Sequence, residues 1–193
     1  QRIGPHFNLE VVNNAEVGAG WSVTLQDPDG QHVDLLYGGD VIPAAAVRPA
    51  FVLNNAEKRR RLGTTTRLQV QPSHVMRLGH VVLKTVNFAA MFSFYHDLLG
   101  FRVSDSYFGG EPENTVATFM HCGLGAEFTD HHTVALINMG ATQPAFDHCA
   151  FEVLDWDDLA CGSQFLSQKE YAHSWGIGRH VQGSQIFDYW LDP

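Results

Sequence analysis

The sequence predicts an α+β protein of paired βαβββ modules, on three observations. Apolar positions alternate with period two in several short runs and follow a helical stripe in between. The order strand, helix, further strands occurs twice after residue 77. "LQDPDG" near the start is echoed by "YWLDP" at the end, a weak repeat at the scale of a whole module. With 193 residues, 45% of them hydrophobic and 17% charged, the chain can bury one or two compact cores.

The elements follow in order. "GWSVTLQDPDGQHVDLLYGGD" places a tight turn, Asp27 to Gly30, between two alternating apolar runs, which is a β-hairpin. Residues 41–76 carry Pro43, Pro49 and Pro72 with weak periodicity and suit a connector. "RLGHVVLKTV" is a strand with His80, Val82 and Lys84 on one face and Val81, Leu83 and Thr85 on the other. Asn87 is the expected N-cap of a helix whose stripe is Phe88, Met91, Phe92, Tyr95, Leu98 and Leu99, stopped by Gly100. Strands are expected over 101–104, 115–121 and 133–138. The order then restarts. "FDHCAFEVLD" is a strand, Asp155 caps a helix reaching about Lys169, and "SQIFDYWLDP" is a strand entering a turn. The start at Gln1 in mid-pattern and the stop at Pro193, after an Asp-Pro pair that ordinarily opens a turn, predict a portion of a longer protein.

Composition narrows the function. A formal net charge of −9 argues against nucleic-acid binding, which needs a basic face. The run Lys58 to Arg61 is expected to be a solvated linker or helix face. No stretch approaches the roughly 18 apolar residues of a membrane span, and the N-terminal residues lack a secretory pattern, so a cytoplasmic enzyme is the default. Cys122, Cys149 and Cys161 show no CxxC spacing and are expected as reduced thiols. Histidine is in excess, with 11 in the chain, and several lie in strand patterns, which points to a metal site.

His80 and His148 each sit near the start of the first strand of a βα unit. A lone strand histidine is more often a hydrogen-bonded core or surface residue. Two at equivalent positions in repeated units can converge on one ion if their strands lie side by side. An Fe(II) that must also take an organic substrate and O₂ wants two histidines and one carboxylate on one face. Glu152 and Asp188 are candidates for the carboxylate, as is a residue beyond Pro193.

Together, "RLGHVVLKTVNFAAMFSFYHDLLGFRVSD", "DHHTVALI", "FDHCAFEV" and "WGIGRHVQGSQIFDYWLDP" resemble the C-terminal, catalytic half of type I extradiol dioxygenases of the vicinal oxygen chelate superfamily. The resemblance is strong over residues 77–193 and weak over 1–40. It implies half-open barrels, with 1–40 the end of an N-terminal module without metal, 41–76 a connector, and 77–193 the catalytic module, its last strand missing. It implies that His80 and His148 are iron ligands and that His132 is the acid/base residue. It also implies that His180 and Tyr189 hydrogen-bond the bound catecholate and oxygen. The family's third ligand is a Glu about six residues past the Asp-Pro turn, beyond the last residue here. Asp188 stands where the family has an apolar residue, and is expected to face solvent. In the first hairpin Asp34 occupies the position corresponding to that Glu and is expected to be structural. The remaining histidines, including His6, His32, His74, His96, His121 and His173, are assigned surface or structural roles.

The residue types suit the implied chemistry. A catechol chelating iron through both oxygens loses protons, which raises electron density on the metal and lets O₂ bind. An imidazole can take a proton from the substrate and later return one, while Tyr and His donors steady developing charge. Implied partners are a small catecholic substrate, O₂ as co-substrate and further copies of the chain, with Mn(II) as an alternative to Fe(II) and neither nucleic acid nor membrane. Two other readings use the same fold: a glyoxalase-type lyase or isomerase, which does not need His132, His180 and Tyr189 together, and a metal-free binder of small aromatics.

Overall fold

The structure is a computed structural model that describes residues 12, 13 and 20–193; His6 and most of the first twenty residues lie outside the described part. Among the described residues there are ten strands: β1 (Val12–Asn13), β2 (Trp21–Gln26), β3 (His32–Tyr37), β4 (Val75–Lys84), β5 (Arg102–Phe108), β6 (Thr115–His121), β7 (Val134–Ile137), β8 (Ala145–Val153), β9 (His173–Arg179) and β10 (Ile186–Trp190). Helix α1 (Phe88–Phe92) continues into a π-helical turn, Ser93–Leu98, and α2 spans Trp156–Gln168. No described helix is long and apolar enough to cross a membrane. Two compact units separate: residues up to Ala44 with Gly79–Ala150, and Ala45–Leu78 with Phe151–Pro193.

In the first unit the chain order β4, α1, β5, β6, β7 is a βαβββ module, and the order restarts at β8 with α2, β9 and β10. Five strands form one sheet in the order β5-β6-β7-β4-β8. β5, β6 and β7 run antiparallel in sequence, whereas β4 and β7 pair in parallel, with Leu83 beside Leu136. This register gives the sheet two different faces, because side chains alternate along a strand and paired residues share a side. Val81, Leu83, Val134, Leu136 and Met120 face α1, where Leu83, Met91, Phe94, Tyr95, Met120, Val134 and Leu136 form a buried cluster. His80, Val82 and Lys84 share the other face with Ala135 and Phe119. The alternation expected in β4 therefore holds, although Val82 and Leu83 are both buried, so both faces are covered there.

The hairpin β2-β3 pairs in register from Trp21 opposite Tyr37 to Gln26 opposite His32. Its turn is closed by the Gly30 amide donating to the Asp27 carbonyl, with Gly30 at φ 88, a left-handed value that glycine tolerates. Leu25 joins the buried cluster. The buried Asp27 accepts a hydrogen bond from Tyr95 at 3.2 Å, and burial, with Asp27 nearby, pushes the Tyr95 hydroxyl pKa up. Asp34 accepts from Thr24 across the hairpin at 2.5 Å, in line with a structural role.

The helix departs from expectation at two points. Asn87 occupies the N-cap position, but its side chain makes no capping bond; its amide instead donates to the Thr85 hydroxyl. Phe94 is buried although it lies off the expected stripe. The π turn explains this: one extra residue in the turn shifts the inward face by one position, so Phe94 and Tyr95 both point to the core.

In the second unit Asp155 caps α2 as expected, accepting from the Asp158 amide. Arg48 grips the Asp155 carboxylate through two hydrogen bonds of 2.9 Å and holds its pKa below the usual range. The buried Asp158 accepts from the backbone amide and the imidazole of His74, each at 2.7 Å. β9 and β10 form a two-stranded sheet. β9 was not among the expected strands, since Gly176 and Gly178 interrupt its apolar pattern. Residues 58–61 are exposed, as a solvated run should be.

Candidate metal and proton-transfer site

The first unit brings His80, His132 and His148 together. β4 and β8 are neighbours, and the rings of His80 and His148 lie edge to face with centroids 5.6 Å apart. A metal–imidazole bond is about 2 Å and the ring centre lies about 1 Å behind the nitrogen, so two rings on one ion can be separated by roughly 6 Å at most. The pair meets that limit. His148 is oriented by its neighbour: its Nδ1 lies 2.8 Å from the Asp147 carboxylate, which also receives Lys84 at 2.6 Å. Burial opposes ionisation of Asp147, but the hydrogen bonds from Lys84 and His148 outweigh it and hold the pKa below its ordinary value. A carboxylate on one imidazole nitrogen is the usual way a metal-binding histidine is fixed in tautomer and direction.

His132, only 8% exposed, packs against His80 with centroids 4.0 Å apart and meets Phe119 edge to face. Among the described residues no group of three or more His, Cys, Asp or Glu side chains is arranged to hold a metal ion. His132 is thus a neighbour of the His80/His148 pair and not a third donor to it. The two carboxylates considered for that place are engaged elsewhere. Glu152 pairs with Arg77 at 2.6 Å. Asp188, expected to face solvent, has a side chain only 3% exposed and bonds His173 at 2.7 Å and the Trp190 indole at 2.6 Å. The donor set is two imidazoles, and the described residues supply no carboxylate to complete it.

His180 and Tyr189 belong to the second unit, where the His180 Nε2 and the Tyr189 hydroxyl are 3.3 Å apart. Trp175 stacks on Tyr189 and Phe187 packs on His180, giving a small aromatic cluster on β9 and β10.

Several residues around the histidines were not legible in the sequence. Asp147 and Lys84 had a usable signal, since Asp147 adjoins His148 and Lys84 shares a strand face with His80. Asp105, which bonds His131 at 2.6 Å, had none, because it lies 26 residues away and reaches His131 only through the register of β5.

Comparison with known proteins identifies the family and the fold. The family described as Glyoxalase/Bleomycin resistance protein/Dioxygenase superfamily matches residues 77–193. The chain is 34% identical over 183 residues to Metapyrocatechase 2 of Cupriavidus necator, covering 95% of this chain and 53% of that protein. It is 31% identical over 180 residues to an iron-dependent extradiol dioxygenase of Rhodococcus jostii (strain RHA1), covering 89% of this chain and 52% of that one. The chain therefore spans about half the length of the curated relatives it matches. Among solved structures, a Mn(II)-bound glyoxalase from Novosphingobium aromaticivorans superposes with a TM-score of 0.67 at 23% identity, covering 98% of this chain and 53% of that one, a likeness of fold.

Proposed function

This chain belongs to the Glyoxalase/Bleomycin resistance protein/Dioxygenase superfamily, and on that premise we propose that it carries part of the catalytic machinery of an Fe(II)-dependent extradiol dioxygenase acting on a small catechol. One observation carries the reading: the His80/His148 pair has a buried third imidazole, His132, set against it. Sequence likeness to a metapyrocatechase and an iron-dependent extradiol dioxygenase supports the choice of chemistry. In this reading residues 77–193 are the catalytic module and 1–40 the end of a module without metal.

His80 and His148 would hold the metal, with Asp147 keeping His148 turned so that it offers Nε2. Bound Fe(II) supplies a centre at which the two catechol oxygens and O₂ are brought together. His132 accepts a proton from a substrate hydroxyl: the O–H bond breaks, an N–H bond forms on the imidazole, and the same proton is available for return. His180 and Tyr189 act as a donor pair that steadies negative charge on the substrate oxygens. Val82, Ala135 and Phe119 on the histidine-bearing face limit water around the reacting groups.

The test is metal retention. Protein reconstituted with Fe(II) and freed of excess metal should keep about one iron per chain, and His80→Ala or His148→Ala should lose it by about 10-fold or more, on the scale seen when a ligand's support is removed. Retention unchanged in both variants removes the pair as ligands. Mn(II) accepts the same donors, and the same assay run with Mn(II) ranks the two ions. A superfamily lyase or isomerase would use the metal without His132, so His132→Ala with full turnover would favour that reading.

A further inference from the structure

We infer that Asp105 and His131 are positioning residues that fix the tautomer of His132, leaving its Nε2 as the unprotonated nitrogen. The inference rests on the proposal that His132 is the proton acceptor, and it concerns what makes that ring able to accept.

The observation is a chain of three side chains. The Asp105 carboxylate lies 2.6 Å from Nε2 of His131, and Nδ1 of His131 lies 3.0 Å from Nδ1 of His132. With both rings neutral, the protons have one consistent arrangement. A carboxylate only accepts, so Nε2 of His131 must carry the proton. Nδ1 of His131 is then a lone pair, and it can be satisfied only by an N–H on Nδ1 of His132. A neutral imidazole carries one such proton, so Nε2 of His132 has none and can accept one. A carboxylate fixing an imidazole in its working tautomer is well known in acyl transfer; here a second imidazole stands between the two.

The fold places Asp105 for this. Along β5 and β6, Arg102 pairs with His121 and Val103 with Met120, but the next partner of Phe119 is Asp105, so Ser104 is an extra residue in β5. Such a bulge re-aims the side chains that follow it. Without it Ser104 would stand opposite Phe119. With it, Asp105 shares a face with Phe119, whose ring touches both His131 and His132. The sequence pattern "RVSDSYF" gives no reason for the extra residue within the strand itself.

The arrangement also acts after proton uptake. Once the substrate O–H bond has broken and the proton sits on Nε2, His132 is a cation that still donates from Nδ1 to His131. The Asp105 charge then lies one ring away, across His131, and favours the cation.

The test is the ring ¹⁵N spectrum of His132 in the metal-free protein near pH 8, with Asp105→Asn and His131→Gln beside it. Wild type should show Nδ1 protonated and Nε2 not. Asp105→Asn, whose amide can donate to Nε2 of His131, should reverse both rings, and should lower kcat by about 10²-fold with little change in KM or iron content. His131→Gln reports on the same point if the first variant folds poorly, and should leave His132 in mixed tautomers. A wild-type His132 protonated on Nε2 overturns the proposal, as does a tautomer and kcat unchanged in both variants. The spectrum needs neither metal nor substrate, so a protein that cleaves no catechol but shows the expected tautomer would refute the functional reading alone.

Discussion

The two helices that follow β4 and β8 hold the same place in the chain order and are kept in position by opposite means. The turn through α1 packs Met91, Phe94 and Tyr95 into an apolar cluster against β4, β6 and β7. α2 buries Asp158 and Gly162, and is tied by Asp158 to His74 and by its cap, Asp155, to Arg48. The difference matters for the site. The strands beneath His80 and His132 are backed by close-packed side chains, which resist displacement. The segment around Asp155 relies on charged contacts, which weaken with salt and acid.

The largest effect should come from breaking the apolar side. Met91→Ala leaves a cavity under β4 and should cost about 2–5 kcal/mol, read as a lower midpoint in urea. If the loss is confined to the first unit, a probe in α2 should report it less than one in β6. Next comes the polar side. Asp158→Asn keeps the shape but gives up the charge-assisted bonds from His74, and should cost about 1–3 kcal/mol; an unchanged midpoint would mean that the apolar stem of α2 carries that unit after all.

The smallest effect is a dependence on acid. Asp155 and Asp147 both titrate below their ordinary range in the folded chain. A carboxyl whose folded pKa is depressed adds stability above its unfolded pKa and loses it as pH falls through the folded one. Thermal midpoints should therefore be flat above about pH 5 and fall below about pH 4, where free carboxyls ordinarily titrate. Arg48→Ala should lower the plateau above about pH 5 and make the fall shallower, because an Asp155 moved toward its ordinary value titrates more nearly alike in the folded and unfolded chain, with added salt acting in the same direction. A midpoint that falls equally in both proteins would assign the acid sensitivity to other groups.

Much of this architecture is legible in the sequence because it is local. The hairpin turn at Asp27 to Gly30, the Asp155 cap and the Gly100 stop depend on a few adjacent residues whose backbone preferences decide the outcome. What stayed hidden depends on an extra residue somewhere. The π turn brings Phe94 inward, and the Ser104 bulge brings Asp105 to His131, and neither leaves a mark in hydrophobic periodicity. β9 escaped because its glycines dilute the apolar signal, while the partner that pairs with it comes later in the chain. Asp188 was misjudged for a related reason: its strand neighbours do not reveal the imidazole and indole that enclose it. The juxtaposition of His80 and His148 was accessible because equivalent places in a repeated unit imply adjacent strands, and β4 and β8 are adjacent.

The proposed cleavage of a catechol at a metal held by His80 and His148 can be read from the visible spectrum of the Fe(II)-loaded protein mixed with a panel of catechols in air. A yellow product whose absorbance changes with pH should form, at least about 10²-fold more slowly in His132→Ala and not at all without metal. Iron bound through His80 and His148, O₂ present, and no new absorbance with any catechol would contradict it.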